Sequence, residues 1–175
     1  SEMCIRDSHG GAGEQPSLEG VHIGLIGDIR HSRVARSDVA AFTALGASVT
    51  LISPATLLPP CLEEWPVEVS HDLDAVLPTL DVVALLRVQQ ERMNDALIPS
   101  LDEYVACYGI TADRARLIRD NAIVTHPGPV VRGIEIAGAV LDQLPRVVIT
   151  DQVSNGVAVR QAVLFWLLGS GVDIT

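Results

Sequence analysis

Val21-His22-Ile23-Gly24-Leu25-Ile26-Gly27-Asp28-Ile29-Arg30-His31-Ser32-Arg33-Val34-Ala35-Arg36-Ser37 reads as a strand, a turn and the opening of a helix. Val21–Ile26 is a short apolar run closed by Gly27-Asp28, the pattern of a strand buried on both faces of a parallel sheet. A helix is predicted from about Ser32 to Leu45, with Val39, Phe42 and Leu45 at helical spacing and Gly46 where a C-terminal cap belongs.

The same alternation continues along the chain. Ser48–Ser53 predicts a second strand, stopped by Pro54. Residues 55–80 are broken by Pro59, Pro60, Pro66 and Pro78, with short helices expected near Leu62–Trp65 and Leu73–Leu80. Val82–Leu86, apolar on both faces, reads as the third strand, Ala122–Thr125 as the fourth and Val147–Thr150 as the fifth. Between them, residues 89–120 hold helices and a loop around Tyr108-Gly109-Ile110-Thr111. The last helix is expected from about Asn155 to Leu168, with Ser154 or Asn155 as N-cap. The pattern predicts a Rossmann-like three-layer α/β domain: a mostly parallel sheet of about five strands with helices on both faces.

At 175 residues the chain has room for one well-cored domain. Apolar residues make up 48% of it and aromatics only 3%, so the core is aliphatic. A net charge of −10 argues against nucleic acid and against docking on anionic membranes. Cys4, Cys61 and Cys107 form no C-x-x-C pair, so neither a disulfide framework nor a zinc site is expected, and reduced thiols fit a cytoplasmic protein. Residues 1–20 are polar, Gly-rich and without the apolar stretch of a secretory signal.

Function classes narrow further at the turns. The first turn lacks G-x-G-x-x-G, because Ile29, Arg30 and His31 fill the space that glycines leave for a pyrophosphate. No G-x-x-x-x-G-K-[ST] or G-x-S-x-G occurs, and no histidine pair has metal-ligand spacing. What remains are arginines just after predicted strands. Arg33 and Arg36 lie near a helix start, where the macrodipole favours anions. Either an anion joins them or they are surface arginines paired with Asp28 or Asp38, the reading favoured for Arg36. Arg87 ends an apolar strand with Gln89 two residues on; together they could grip a carboxylate, or Arg87 could serve a structural ion pair. His126-Pro127-Gly128-Pro129 is a stiff turn with few donors, whose carbonyls could read a ligand N–H. His126 itself suits a structural histidine better than a catalytic one.

Taken in order, four segments resemble the carboxyl-terminal half of the aspartate carbamoyltransferase family, over about Leu18 to Gly169. They are Gly27–Ser37, Arg87-Val88-Gln89-Gln90-Glu91-Arg92, His126-Pro127-Gly128-Pro129-Val130-Val131-Arg132-Gly133, and Asp151–Arg160. The resemblance implies that Arg33 and Arg87 each hold one carboxylate of L-aspartate, with Gln89 supporting the bound amino acid. It implies that Pro127, Gly128 and Pro129 present backbone carbonyls to the amide of carbamoyl phosphate, while Glu91, Arg92 and His126 brace these loops. The sister ornithine enzymes carry His-Cys-Leu-Pro where this chain has His-Pro-Gly-Pro, which favours aspartate as acceptor.

The activity implied is carbamoyl transfer to L-aspartate, giving N-carbamoyl-L-aspartate and phosphate in de novo pyrimidine biosynthesis. No metal, organic cofactor or covalent intermediate is implied. The family's Ser-Thr-Arg-Thr and His-Pro-x-Gln motifs belong to an amino-terminal carbamoyl phosphate domain and do not occur here. Residues 1–8 match nothing in the family and read as an artefactual leader, 9–20 as a linker and 21–175 as the aspartate-binding domain. The parent enzyme is expected to be a homotrimer, with regulatory subunits possible in the family, and this piece alone to be inactive. The rivals are an ornithine or other amino-acid carbamoyltransferase, and a non-catalytic dicarboxylate-binding module.

Overall fold

A computed structural model describes residues 17–88 and 100–169. Five strands, β1 (His22–Ile26), β2 (Ser48–Ile52), β3 (Glu68–Ser70), β4 (Val82–Leu85) and β5 (Ile123–Thr125), form one sheet in the order β3-β2-β1-β4-β5. Every pairing is parallel, and β1 is central, with Ile23 opposite both Val49 and Val82. Six α-helices accompany them among the described residues: α1 (Arg33–Ala44), α2 (Leu73–Val76), α3 (Leu101–Tyr108), α4 (Ala112–Ala115), α5 (Gly138–Gln143) and α6 (Ile149–Gly169).

Alternation along the strands divides the core in two. Ile23, Leu25, Val49, Leu51, Val82 and Ala84 pack on Ala35, Val39 and Phe42 of α1. Ile26, Ile52, Val83, Leu85 and Val124 pack on Leu73, Leu77, Tyr104, Tyr108 and Val140 across the other face. Each such aliphatic side chain contributes roughly 1.5–3 kcal/mol by leaving water. The three-layer arrangement is the one expected from the sequence.

Local chemistry fixes the element ends. Ser32 Oγ accepts the Ala35 amide at 3.1 Å and starts α1; Gly46, at φ 93°, lets the chain turn out of it. Arg114 closes α3 by donating to the carbonyls of Val105, Ala106 and Gly109, and pairs with Asp74 of α2.

Two expectations fail. Val147–Thr150 is not a fifth strand: Val147 makes a single parallel bridge to Val124, and helix α6 begins at Ile149. The β-branched run lies beside β5 for one residue pair only, and Ser154, expected as a cap, instead donates from inside the helix to the Thr150 carbonyl. The fifth strand is β3, whose exposed Glu68 and Val69 gave no apolar run to read. No helix among the described residues is long and apolar enough to cross a membrane. Cys61 and Cys107 are free and exposed.

Candidate functional site

The strand order reverses direction between β1 and β4. The chain steps outward from β1 to β2 and β3, then returns to start again at β4 beside β1. At such a switch point the two following loops diverge and leave a crevice at the carboxyl ends of the strands. Gly27–Ser32 and Leu86–Val88 are those loops here.

Close contact between them begins at Gly27. Its φ of 126° belongs to glycine, and a Cβ there would sit 2.8 Å from the Leu86 carbonyl oxygen. Asp28 follows, fully buried; its carboxylate accepts the His31 amide at 3.1 Å and faces His31 Nδ1 at 2.9 and 3.0 Å. This tight turn delivers Arg33 as the first residue of α1, exposed and paired with no carboxylate among the described residues. The first turn of α1 carries no acidic residue. Arg30, Arg33 and Arg36 line a pocket of about 470 Å³ with Pro59 and Trp65. Arg36 has a structural role there, with its guanidinium 5.4 Å from the Trp65 ring centroid. The carboxylate of Asp28, an alternative partner for Arg33, is committed to His31 instead.

On the other side of the crevice, Leu86 donates to the Ile26 carbonyl and is buried, Arg87 is half-buried, and Val88 turns back into the core. Gln89, Glu91 and Arg92 lie outside the described residues. After β5, the His126 amide donates to Gln152 Oε1 on α6 at 3.1 Å. His126 is fully buried, and its Nδ1 accepts the Gly128 amide at 2.8 Å, so the ring proton sits on Nε2. Pro127, Gly128 and Pro129 lie at the surface or half-exposed, with Gly128 at φ 75° and a cis bond to Pro129. Neither proline has an N–H, so this turn offers mainly carbonyls.

One residue that sequence reasoning missed joins the last two loops. Glu135 is buried, its Oε1 accepting the Val88 amide at 2.9 Å and its Oε2 the Val131 amide at 2.6 Å. Oε2 also lies 3.3 Å from His126 Nε2, without the alignment of a hydrogen bond. An acid flanked by Ile134 and Ile136 was the available signal, because a carboxylate amid apolar neighbours must find donors. Arg33 and Arg87 thus follow the two strands that flank the switch point and the donor-poor turn follows β5, while the pocket at the start of α1 is lined by neither Arg87 nor that turn.

The profile of the family described as aspartate/ornithine carbamoyltransferase, Asp/Orn binding domain, matches residues 19–167. The chain belongs to this family. It is 55% identical over 155 residues to the aspartate carbamoyltransferase catalytic subunit of Thermobifida fusca, covering 89% of this chain and 49% of that one. It is 54% identical over 158 residues to the catalytic subunit from Streptomyces coelicolor, 90% of this chain and 48% of that one. The chain thus spans about half the length of the relatives it matches. Among solved structures, Trypanosoma cruzi aspartate transcarbamoylase with phosphate superposes with a TM-score of 0.70 at 29% identity, over 85% of this chain and 50% of that one. The M. jannaschii catalytic subunit gives a TM-score of 0.72 at 26% identity, over 89% of this chain and 51% of that one. Both match the parallel α/β architecture described above. In this carbamoyltransferase domain, Arg33, Arg87 and the turn 127–129 follow three strands of one sheet, β1, β4 and β5.

Proposed function

We propose that this chain supplies the aspartate-binding half of an aspartate carbamoyltransferase, the transferase that makes N-carbamoyl-L-aspartate and phosphate in de novo pyrimidine biosynthesis. The observation that carries the reading is that Arg33, the first residue of α1, and Arg87 follow β1 and β4, the two strands that flank the switch point. Two guanidinium groups on opposite loops suit a four-carbon dicarboxylate, each forming a fork on one carboxylate. Gln89 completes the grip on the amino acid. Relatives named as aspartate carbamoyltransferases support this acceptor, as does a T. cruzi structure with aspartate and phosphate bound.

In the reaction, the amine nitrogen of aspartate attacks the carbamoyl carbon, an N–C bond forms, the C–O bond to phosphate breaks, and the amine gives up its proton. Arg33 and Arg87 hold the nucleophile in line, an entropic contribution. The carbonyls of Pro127, Gly128 and Pro129 accept from the carbamoyl amide and orient its carbon, while His126, Glu91 and Arg92 brace the loops. Charge stabilisation of the departing phosphate falls to groups in the other half of the enzyme. A cytoplasmic homotrimer, with or without regulatory subunits, is the assembly this reading expects. The chain by itself is expected to bind dicarboxylates weakly and to be inactive.

The test is carbamoyl-aspartate formation by this chain alone and mixed with the unmatched half of the T. fusca relative, with ornithine run in parallel. Activity confined to the aspartate mixture and abolished by Arg87→Ala supports the reading. Activity with ornithine only would reassign the acceptor. A folded chain silent in every mixture and indifferent to succinate would be a module without this chemistry.

A further inference from the structure

Glu135 hydrogen-bonds both the segment carrying Arg87 and the segment carrying Pro127–Pro129. Its carboxylate spends one oxygen on Val88, the residue after Arg87, and the other on Val131, two residues after Pro129. Through the Oε2 contact with His126 Nε2, and the Gly128 amide held by His126 Nδ1, the same group reaches the middle of the carbonyl turn. Neither loop can shift without lengthening a bond to a single buried carboxylate. The side chain is about 1% exposed, so water does not replace a lost donor.

We propose that Glu135 is a positioning residue that couples the two ligand loops, so that filling the arginine side of the crevice tightens the carbonyl turn and the reverse. This rests on the reading of Arg87 and of residues 127–129 as aspartate and carbamoyl phosphate contacts. It adds a mechanical link between the two subsites that does not pass through either ligand. A carboxylate suits the task because both oxygens accept, and its two donors come from different loops. A carboxamide keeps one acceptor and turns an –NH2 group toward a donor. A shorter aspartate side chain could reach only one loop.

The experiment is residue-resolved amide exchange on the whole chain, wild type against Glu135→Gln and Glu135→Asp, with and without succinate. All three proteins carry Trp166→Phe, so that Trp65, in the Arg33 pocket, reports succinate affinity by fluorescence. In the ligand-free chain, Glu135→Gln is expected to speed exchange by about tenfold or more, the size of a lost charged hydrogen bond, at whichever of Val88 and Val131 then faces the –NH2 group. Exchange at Leu25 in β1 is expected to stay unchanged. With succinate, wild type is expected to gain protection at Gly128 and Val131 as well as at Val88, whereas Glu135→Gln gains it at Val88 alone. Equal transmission to Gly128 and Val131 in both proteins would overturn the coupling. So would exchange unchanged at both loops, or a uniform rise that includes Leu25. Wild type that ignores succinate would count against the aspartate reading, and the ligand-free comparison would then decide the strap by itself.

Discussion

Asp28, with no exposed surface, holds both the backbone amide and the ring Nδ1 of His31, three residues further on. This pair shapes the turn that leads from β1 into α1, and so sets where Arg33 emerges. The two bonds differ in what they need. The amide requires only an acceptor oxygen, whereas the ring contact also benefits from charge.

Asp28→Asn is therefore expected to destabilise less than Asp28→Ala. The alanine variant strands the part-buried His31 N–H and should lose roughly 1–3 kcal/mol in urea unfolding. Asparagine keeps Oδ1 and should lose about half of that or less. Equal losses would mean that the backbone bond carries nothing.

Arg33 and Arg36 separate by the same logic. Arg33 is exposed at a helix start, so Arg33→Ala should change stability by no more than about 0.5 kcal/mol. Succinate affinity, followed by calorimetric titration, should fall about tenfold or more. Arg36→Ala should show the opposite balance, losing about 0.5–1 kcal/mol of its stacking on Trp65 and most of the succinate affinity retained.

Gly27→Ala tests the close approach of the two crevice loops. The new methyl would meet the Leu86 carbonyl oxygen at 2.8 Å, at a φ of 126° that L side chains avoid. The obstacle is backbone, so no side chain can swing away. A loss of roughly 2–4 kcal/mol in denaturant unfolding is expected, with strand order unaltered in the residual fold.

How far the sequence could be read depended on whether a signal was local. Strands β1, β2 and β4 were legible because each is a run buried on both faces. Gly46 as a helix stop was legible because capping chemistry acts within a few residues, and Ser32, read only as the approximate start of the helix, is its N-cap. Val147–Thr150 misled because β-branched residues favour a strand, yet only Val147 bridges to Val124 and Ile149 already begins α6. Glu135 escaped notice because its donors are Val131 nearby and Val88, 47 residues upstream, a pairing that no spacing rule contains. The switch point was implied by alternating strands and helices, but which loops flank it followed only from the strand order.

Alkaline pH should expose the buried face of the sheet. Burial pushes the Tyr104 phenol well above its ordinary value, and the charges of Glu135 and Asp28 push the same way; burial also raises Tyr108. These are the chain's only two tyrosines. Both ionise more readily once unfolded, so their contribution is intact below about pH 10 and is lost as pH rises through the folded values. Phenolate absorbance should therefore appear together with loss of near-ultraviolet dichroism. Tyr104→Phe should move that transition to higher pH, and early phenolate absorbance from a still folded chain would contradict the burial.

Helix α6 presents a different kind of surface. Val153, Val157, Leu164 and Leu168 run down one side and Val159, Val163 and Trp166 down another, with Phe165 79% and Leu168 81% exposed. Between Asp151 and Gly169 the helix carries a single charge, Arg160. A contiguous apolar surface of this kind captures hydrophobic dye and promotes association, and a net charge of −10 spread elsewhere does little to mask it. The chain is expected to bind anilinonaphthalene sulfonate while folded. Leu164→Glu with Leu168→Glu should reduce dye fluorescence several-fold, with the unfolding midpoint unchanged, because neither side chain contributes to the two core clusters. If dye binding persists in that variant, the dye must be entering elsewhere, and the α6 surface is not what limits the solubility of the chain.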